Sequence, residues 1–288
     1  MTKMIGQERI QERVLNLIES NKFPRFCLLV GEKGSGRKTI AQWIGEQLDA
    51  VVDMCGIDVD SVRNVIEHSY NTSQPMLYIF PDADNMSLAA KNALLKVTEE
   101  PPRNARFIMT VMSTSNVLPT IESRAFVLRM DTYSIRDIVK YYREVAKSYR
   151  GEVTLRDEWD DIFSKYCSTP GDVNLLCSYD IDEFAKFVHM VVRNIDKVSG
   201  SNSFKIGSRL DLGTDEKKYD LALFWTAFIV VCFDSVASNP FKYISGVTIT
   251  SRYKDELRLA GINKQMCFDN WLLDIRKEWM KYAESDED

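Results

Sequence analysis

Residues 26–39, FCLLVGEKGSGRKT, set a short apolar run directly before a glycine-rich turn, and TIAQWIGEQL (39–48) continues with helical spacing. An apolar run bounded by a turn reads as a buried strand, and strand, glycine-rich turn and helix in succession are the local architecture of a phosphate-binding loop. In such a loop glycines let backbone N–H groups wrap phosphates at a helix N-terminus, a lysine reaches the terminal phosphates, and a Ser or Thr hydroxyl holds magnesium. The template GxxxxGK[ST] is met by Gly31 and Gly36, with Gly34 adding flexibility, but its lysine position holds Arg37 and its hydroxyl position Lys38. A broad planar guanidinium does not replace a compact ammonium, and Lys38 cannot ligate a cation. Three readings stay open: a degenerate loop that keeps its anion cradle, a shifted loop using Lys38 and Thr39, and a plain strand-turn-helix junction.

Working outward, QERIQERVLNLIES (7–20) spaces Ile10, Val14, Leu17 and Ile18 as one face of an opening helix. Downstream, MLYIF (76–80) reads as a strand before PDADN and a helix over 87–99, and RFIMTVM (106–112) and AFVLRM (125–130) read as two more strands. Strands alternating with helices imply a parallel sheet covered on both faces. After about residue 131 the strand signals stop. SIRDIVKYYREVAKSY (134–149), LRDEWDDIFSKYC (155–167) and DIDEFAKFVHMVVRNI (180–195) have helical spacing, STPGD (168–172) punctuates them, and VSGSNS (198–203) reads as a loop. The aromatic segment LALFWTAFIVVCF (221–233), then WLLDIRKEWMKYA (271–283) and an acidic SDED tail, close the chain. The organisation expected is an α/β domain over 1–130, a small helical domain over 131–178 and a larger helical domain over 179–288.

The chain has 288 residues, 45% apolar and 27% charged, which suffices for real cores in two or three domains. No apolar run approaches the roughly 20 residues that span a bilayer, and the start MTKMIGQERIQERV lacks the apolar centre of a secretory signal, so a cytoplasmic location is expected. Six scattered cysteines with no CxxC pair, beside two histidines, give no zinc-ligand spacing and read as buried reduced thiols. A net charge of -5 argues against a protein that coats nucleic acid alone.

A hydrolytic site needs a second element, a strand ending in acids that hold magnesium and polarise water. After MLYIF the position nearest the strand end is Pro81; Asp82 stands as the degenerate counterpart of that acid, and Asp84 reads as a cap of helical backbone amides. IGQERI, GEKGSG, DVDSVRNVI (58–66), ADNMSLAAKNALLKVTEEPPRNARFIM (83–109) and LPTIESRA (118–125) together resemble the clamp-loader branch of the AAA+ ATPases, strongly over 4–130 and beyond it only as helical domains in the right order. Within that branch the chain is most similar to delta-prime subunits of bacterial or phage loaders. The resemblance implies a P-loop-type sheet domain, a helical lid and a C-terminal all-α collar that ties subunits into a ring.

The resemblance also implies that Arg124, in Ser123-Arg124-Ala125, is an arginine finger serving the ATP site of a neighbouring subunit. Other family positions are eroded. The polar sensor falls at Val111 or Met112, with Ser113 and Thr114 just beyond, and the Gly-Asp-x-Arg sensor reads Gly171, Asp172, Val173, Asn174. The family's four-cysteine zinc module is absent, residues 49–57 running straight on. The stripe Leu221, Phe224, Trp225 and Phe228 reads as helix core or subunit packing rather than a cofactor box. The expectation is a weakly active or non-hydrolysing loader subunit that requires no cofactor and holds ATP or ADP only weakly. Its expected partners are other loader subunits, the sliding clamp and, through the complex, primer-template DNA, with no membrane. The rivals are the loader's ATPase itself and a AAA+ protein outside replication.

Overall fold

A strand buried on both faces needs apolar residues at every position, and FCLLV supplies them: β1 (Phe26–Val30) is buried along its whole length. The computed structural model describes residues 4–150, 157–197, 205–213, 218–257 and 261–283; the expected loop over 198–203 and the SDED tail lie outside them. Contacts divide the chain into two compact units, Met1–Asp137 and Ile138–Asp288.

In the first unit, α1 (Glu8–Glu19) precedes β1, α2 (Arg37–Gln47), β2 (Val51–Met54), α3 (Val59–Asn71) and β3 (Met76–Phe80). After β3 come α4 (Leu88–Ala93), α5 (Leu95–Glu99), β4 (Ala105–Val111), α6 (Pro119–Glu122) and β5 (Phe126–Arg129). The strands form one parallel sheet in the order β2-β3-β4-β1-β5. Alternate residues of β1 divide between its faces. Phe26, Leu28 and Val30 join Tyr78, Phe80, Phe107 and Met109 with Val62 of α3 and Leu94 from the turn between α4 and α5. Cys27 and Leu29 join Ile79 and Ile108 with Ile10, Val14, Ile40 and Ile44 of α1 and α2.

β1 and β3 occupy the residues expected of them, whereas two expectations are corrected. The sheet has a further strand, β2, at its edge; VVDM is too short and too exposed there to show an apolar run. The helix expected over 87–99 is two pieces, because the chain tightens at Leu94, whose φ of -68° and ψ of -17° close a turn between α4 and α5.

Helix α7 (Ile135–Arg150) leads into the second unit, which holds α8 (Asp157–Tyr166), α9 (Pro170–Ser178), α10 (Ile181–Asn194), α11 (Leu221–Ser235), α12 (Pro240–Glu256) and α13 (Lys264–Ala283). STPGD starts α9 with a capping box: the Thr169 side chain accepts from the Asp172 N–H, and the Asp172 carboxylate accepts from the Thr169 N–H, with Pro170 in the first turn. Leu221, Phe224, Trp225 and Phe228 are all buried, so the stripe is helix core; Phe224 and Phe228 pack on Trp271, and Phe228 stacks on Trp279. Strand signals do not end at 131, since Leu210–Asp211 (β6) pairs in parallel with Tyr219–Asp220 (β7). Two residues are too few to leave a periodic trace in sequence. All six cysteines are buried, and none forms a disulfide. Among the described residues no helix is long and apolar enough to cross a membrane, and no cluster of His, Cys, Asp or Glu is placed to hold a metal ion.

Candidate functional site

Parallel α/β sheets bind ligands beyond the carboxyl ends of their strands, and the residues singled out in unit 1 cluster there, apart from Arg124. The turn after β1 is fastened at its base by the Gly31 N–H, which donates to the Val111 carbonyl at 3.1 Å. Ser35 closes it: its hydroxyl donates to the Glu32 carbonyl at 2.7 Å, and its own carbonyl accepts from the Tyr133 hydroxyl at 2.7 Å. Gly34 and Gly36 have φ of +81° and +86°, a left-handed conformation that side chains disfavour, so their glycine identity is a backbone requirement. Gly36 then caps α2, whose first turn carries Arg37 and Lys38 and no acid.

Cations at a helix N-terminus oppose the helix dipole and call for an anion. Asp82 supplies one. Its Oδ1 lies 3.0 Å from Arg37 Nη2 and its Oδ2 2.7 Å from Lys38 Nζ. Asp82 itself is left-handed, at φ 50° and ψ 43°, and is held there by its N–H, which donates to the Thr110 hydroxyl of β4 at 2.9 Å. The Arg37 side chain is only 7% exposed, and its Nη1 is buried without a hydrogen bond, 3.8 Å from Asp84 Oδ2. Burial pushes the guanidinium pKa down, against the pull of Asp82 and then Asp84. Thr39 is half-buried in the same first turn.

Asp84 does not cap an amide of its own short helical turn, as expected. It reaches the loop after β4, accepting from the Met112 N–H at 2.9 and 3.0 Å and from Asn116 Nδ2 at 3.1 Å. Lys91 ties the same loop by donating to the Asn116 carbonyl at 2.7 Å. Val111 is fully buried in the sheet, and the Ser113 hydroxyl accepts from the Ser115 N–H. Thr110 went unnoticed in the sequence; a lone hydroxyl within the apolar run RFIMTVM was its signal. Tyr133 carried no signal, since its contact with Ser35 joins residues 98 apart.

Arg124 stands elsewhere in the unit, just after α6, where Nη1 donates to the Thr120 carbonyl at 2.9 Å and Nη2 pairs with Glu99 at 3.3 Å. Asn174 belongs to the second unit; on α9 it exchanges hydrogen bonds with the Tyr141 hydroxyl at 3.2 and 3.3 Å.

The sheet order, the turn after β1 and the helical second unit define a P-loop fold of the AAA+ type. Two solved structures share it: a DNA polymerase III gamma subunit-related protein of Thermotoga maritima, TM-score 0.50 at 17% identity over 95% of this chain and 100% of that one, and the RuvB Holliday junction branch migration motor of the same organism, TM-score 0.51 at 16% identity over 81% and 76%. The profile of the family described as DNA polymerase III, delta subunit matches residues 53–134. DNA polymerase III subunit gamma of Buchnera aphidicola from Schizaphis graminum is 26% identical, covering 58% of this chain and 54% of its own length. The gamma subunit of Buchnera from Acyrthosiphon pisum is 22% identical over 98% and 91%. The replication factor C small subunit of Methanococcus vannielii is 24% identical over 51% of each chain. By these comparisons the chain is similar to clamp-loader subunits, and it spans about half the length of several of the curated relatives it matches. The matches name gamma and small subunits and do not single out a delta-prime type.

Proposed function

We propose that this chain is a delta-prime-like subunit of a sliding-clamp loader that does not itself turn over ATP and works as a rigid partner in the assembly. The observation that carries the reading is the pairing of both P-loop cations, Arg37 and Lys38, with the chain's own Asp82, while Arg124 stands at the surface. The apolar Val111 and the Asn174 in place of a sensor arginine support it from two further positions. On this reading nucleotide is held weakly or not at all, and Arg124 acts in trans on a neighbour's ATP. Residues 131–178 serve as lid and 179–288 as collar, and the complex opens a ring-shaped clamp and places it on primed DNA.

The test is ATP turnover by the chain alone and by the complex reconstituted with ATPase subunits of the same source. No magnesium-dependent turnover is expected from the chain alone. Arg124→Ala should cut turnover at the site it serves by about 10³-fold or more without loss of assembly. Unchanged turnover removes the finger. The similarity to gamma subunits supports a second reading, an ATPase using Lys38 and Thr39, and robust turnover by the isolated chain would establish it instead.

A further inference from the structure

Three features of the P-loop region have no account in a loop that has merely decayed. The first turn of α2 keeps two cations where the helix dipole disfavours them. The Arg37 side chain is more than nine-tenths buried, yet Nη1 has no hydrogen-bond partner, a costly arrangement for a charged donor. Asp82 is held in a left-handed backbone conformation, and there its two carboxylate oxygens divide between Arg37 and Lys38. A decayed site has no reason to keep a buried arginine, a second cation beside it, a glycine cradle and a strained acid in register.

We propose that the Asp82 carboxylate is an intrachain stand-in for phosphate, so that the cradle of Gly34, Gly36, Arg37 and Lys38 is a working phosphate-anion site occupied by the protein's own side chain. Two oxygens of one carboxylate meet the two cations at 3.0 and 2.7 Å, the spacing of charge-assisted contacts to an anion. Arg37 Nη1, which has only the Asp84 carboxylate at 3.8 Å and no hydrogen bond, is the donor that the Asp82 carboxylate fails to satisfy and that a phosphate, with an additional oxygen, would reach. Asp82 is 41% exposed on its side chain, so it can swing out to solvent while Arg37 stays fixed. The chain thus exchanges a self-bound state for a phosphate-bound one, with the balance set by the charge at position 82. This rests on residues 31–39 being a phosphate cradle, and goes beyond the loader reading by giving the cradle an occupant and a condition for emptying it.

Titration calorimetry on the full chain, without magnesium, tests it with inorganic tripolyphosphate, orthophosphate and ATP. Asp82→Asn removes the charge and keeps a residue that tolerates φ 50°. It is expected to bind tripolyphosphate about tenfold more tightly than the wild type, and Lys38→Ala in that background should abolish the gain. Should Asp82→Asn fold poorly, Asp82→Gly reads the same quantity with the left-handed strain relieved. ATP binding that matches tripolyphosphate marks the ligand as a phosphate chain, and tighter ATP binding marks a nucleotide; both support the stand-in. A folded charge-neutral variant that binds no more tightly than the wild type overturns it, as does a gain that survives Lys38→Ala. Because the readout is binding by this chain alone, its failure is separate from the turnover test of Arg124.

Discussion

Arg124 is parked against Glu99, with Nη2 at 3.3 Å from the carboxylate and Nη1 on the Thr120 carbonyl at 2.9 Å. The two side chains are 42% and 55% exposed, and an ion pair that open to water contributes no more than about 1 kcal/mol. On the proposed trans role, Arg124 would have to leave this pair to reach a neighbouring subunit, and a restraint this weak would permit it. Glu99→Gln is therefore expected to leave the unfolding midpoint within about 3 °C of the wild type and to leave turnover of the reconstituted complex intact, in contrast to Arg124→Ala. Loss of turnover equal to that of Arg124→Ala would instead make Glu99 a residue that positions the finger.

Asp82 and Asp84 are two residues apart and should respond oppositely to truncation. Asp84 is buried and takes the Met112 N–H and Asn116 Nδ2 while lying close to Arg37 Nη1. Asp84→Ala strands a backbone donor and removes charge from beside a buried guanidinium, at a cost of about 2–4 kcal/mol. Asp82→Asn leaves stability within about 1 kcal/mol, because its exposed carboxylate is replaced by a side chain that still accepts. Urea unfolding of the two variants checks the difference; equal losses would contradict the division of roles between them.

Much of unit 1 was legible because its strands are buried on both faces. FCLLV and MLYIF became β1 and β3 at the residues where their apolar runs begin and end. β2 escaped, since Val51 and Met54 stand exposed on an edge strand and carry no continuous run. The site was legible residue by residue and opaque as an arrangement. Gly36, Arg37, Lys38 and Asp82 could each be named, but the pairing of Arg37 with Asp82 joins positions 45 apart and depends on the left-handed turn at Asp82, which no local propensity announces. Asp84 misled for a related reason. Acids beside a helix start usually cap it, and here the amide that the Asp84 carboxylate takes belongs to Met112, in the loop after β4.

Two helical glycines are fixed by close approach rather than by turn geometry. A Cβ at Gly45 of α2 would overlap Val52 Cγ2 of β2, and one at Gly246 of α12 would lie 2.6 Å from Trp279 Cζ2. Gly→Ala ordinarily favours a helix interior by about 1 kcal/mol, but overpacking costs about 1–3 kcal/mol and prevails at both sites. Gly45→Ala should recover most of its loss with Val52→Ala, which opens the space it needs. Gly246→Ala faces a rigid indole and has no such small rescue. Thermal unfolding of the single and double variants measures both; a stabilising Gly45→Ala would show that the helix and β2 separate at no cost.

Stability at alkaline pH depends on buried acids that are neutral when protonated, Cys55 and Tyr166 among them. Burial, then the charge of Asp53, pushes the Cys55 thiol from an ordinary 9.0 up to about 12. Burial, then Asp234 and Asp161, pushes the Tyr166 phenol from 10.0 up to about 12. The folded state holds these protons more tightly than the unfolded state, so their contribution is fully present below pH 9 and is lost as pH climbs from 9 towards 12. Each group reduces stability by about 1.4 kcal/mol per pH unit within its own window. Urea midpoints are therefore expected to show no loss from these groups between pH 7 and 8.5 and a fall above about pH 9.5. Cys55→Ser leaves a hydroxyl that does not titrate in this range, so it should make that fall shallower. An equally steep fall in this variant would place the alkaline loss in other groups. At pH 7.5 the same protonation leaves Cys55 almost without thiolate, so thiol alkylation in the native protein should be slow and should become rapid only once denaturant opens the sheet.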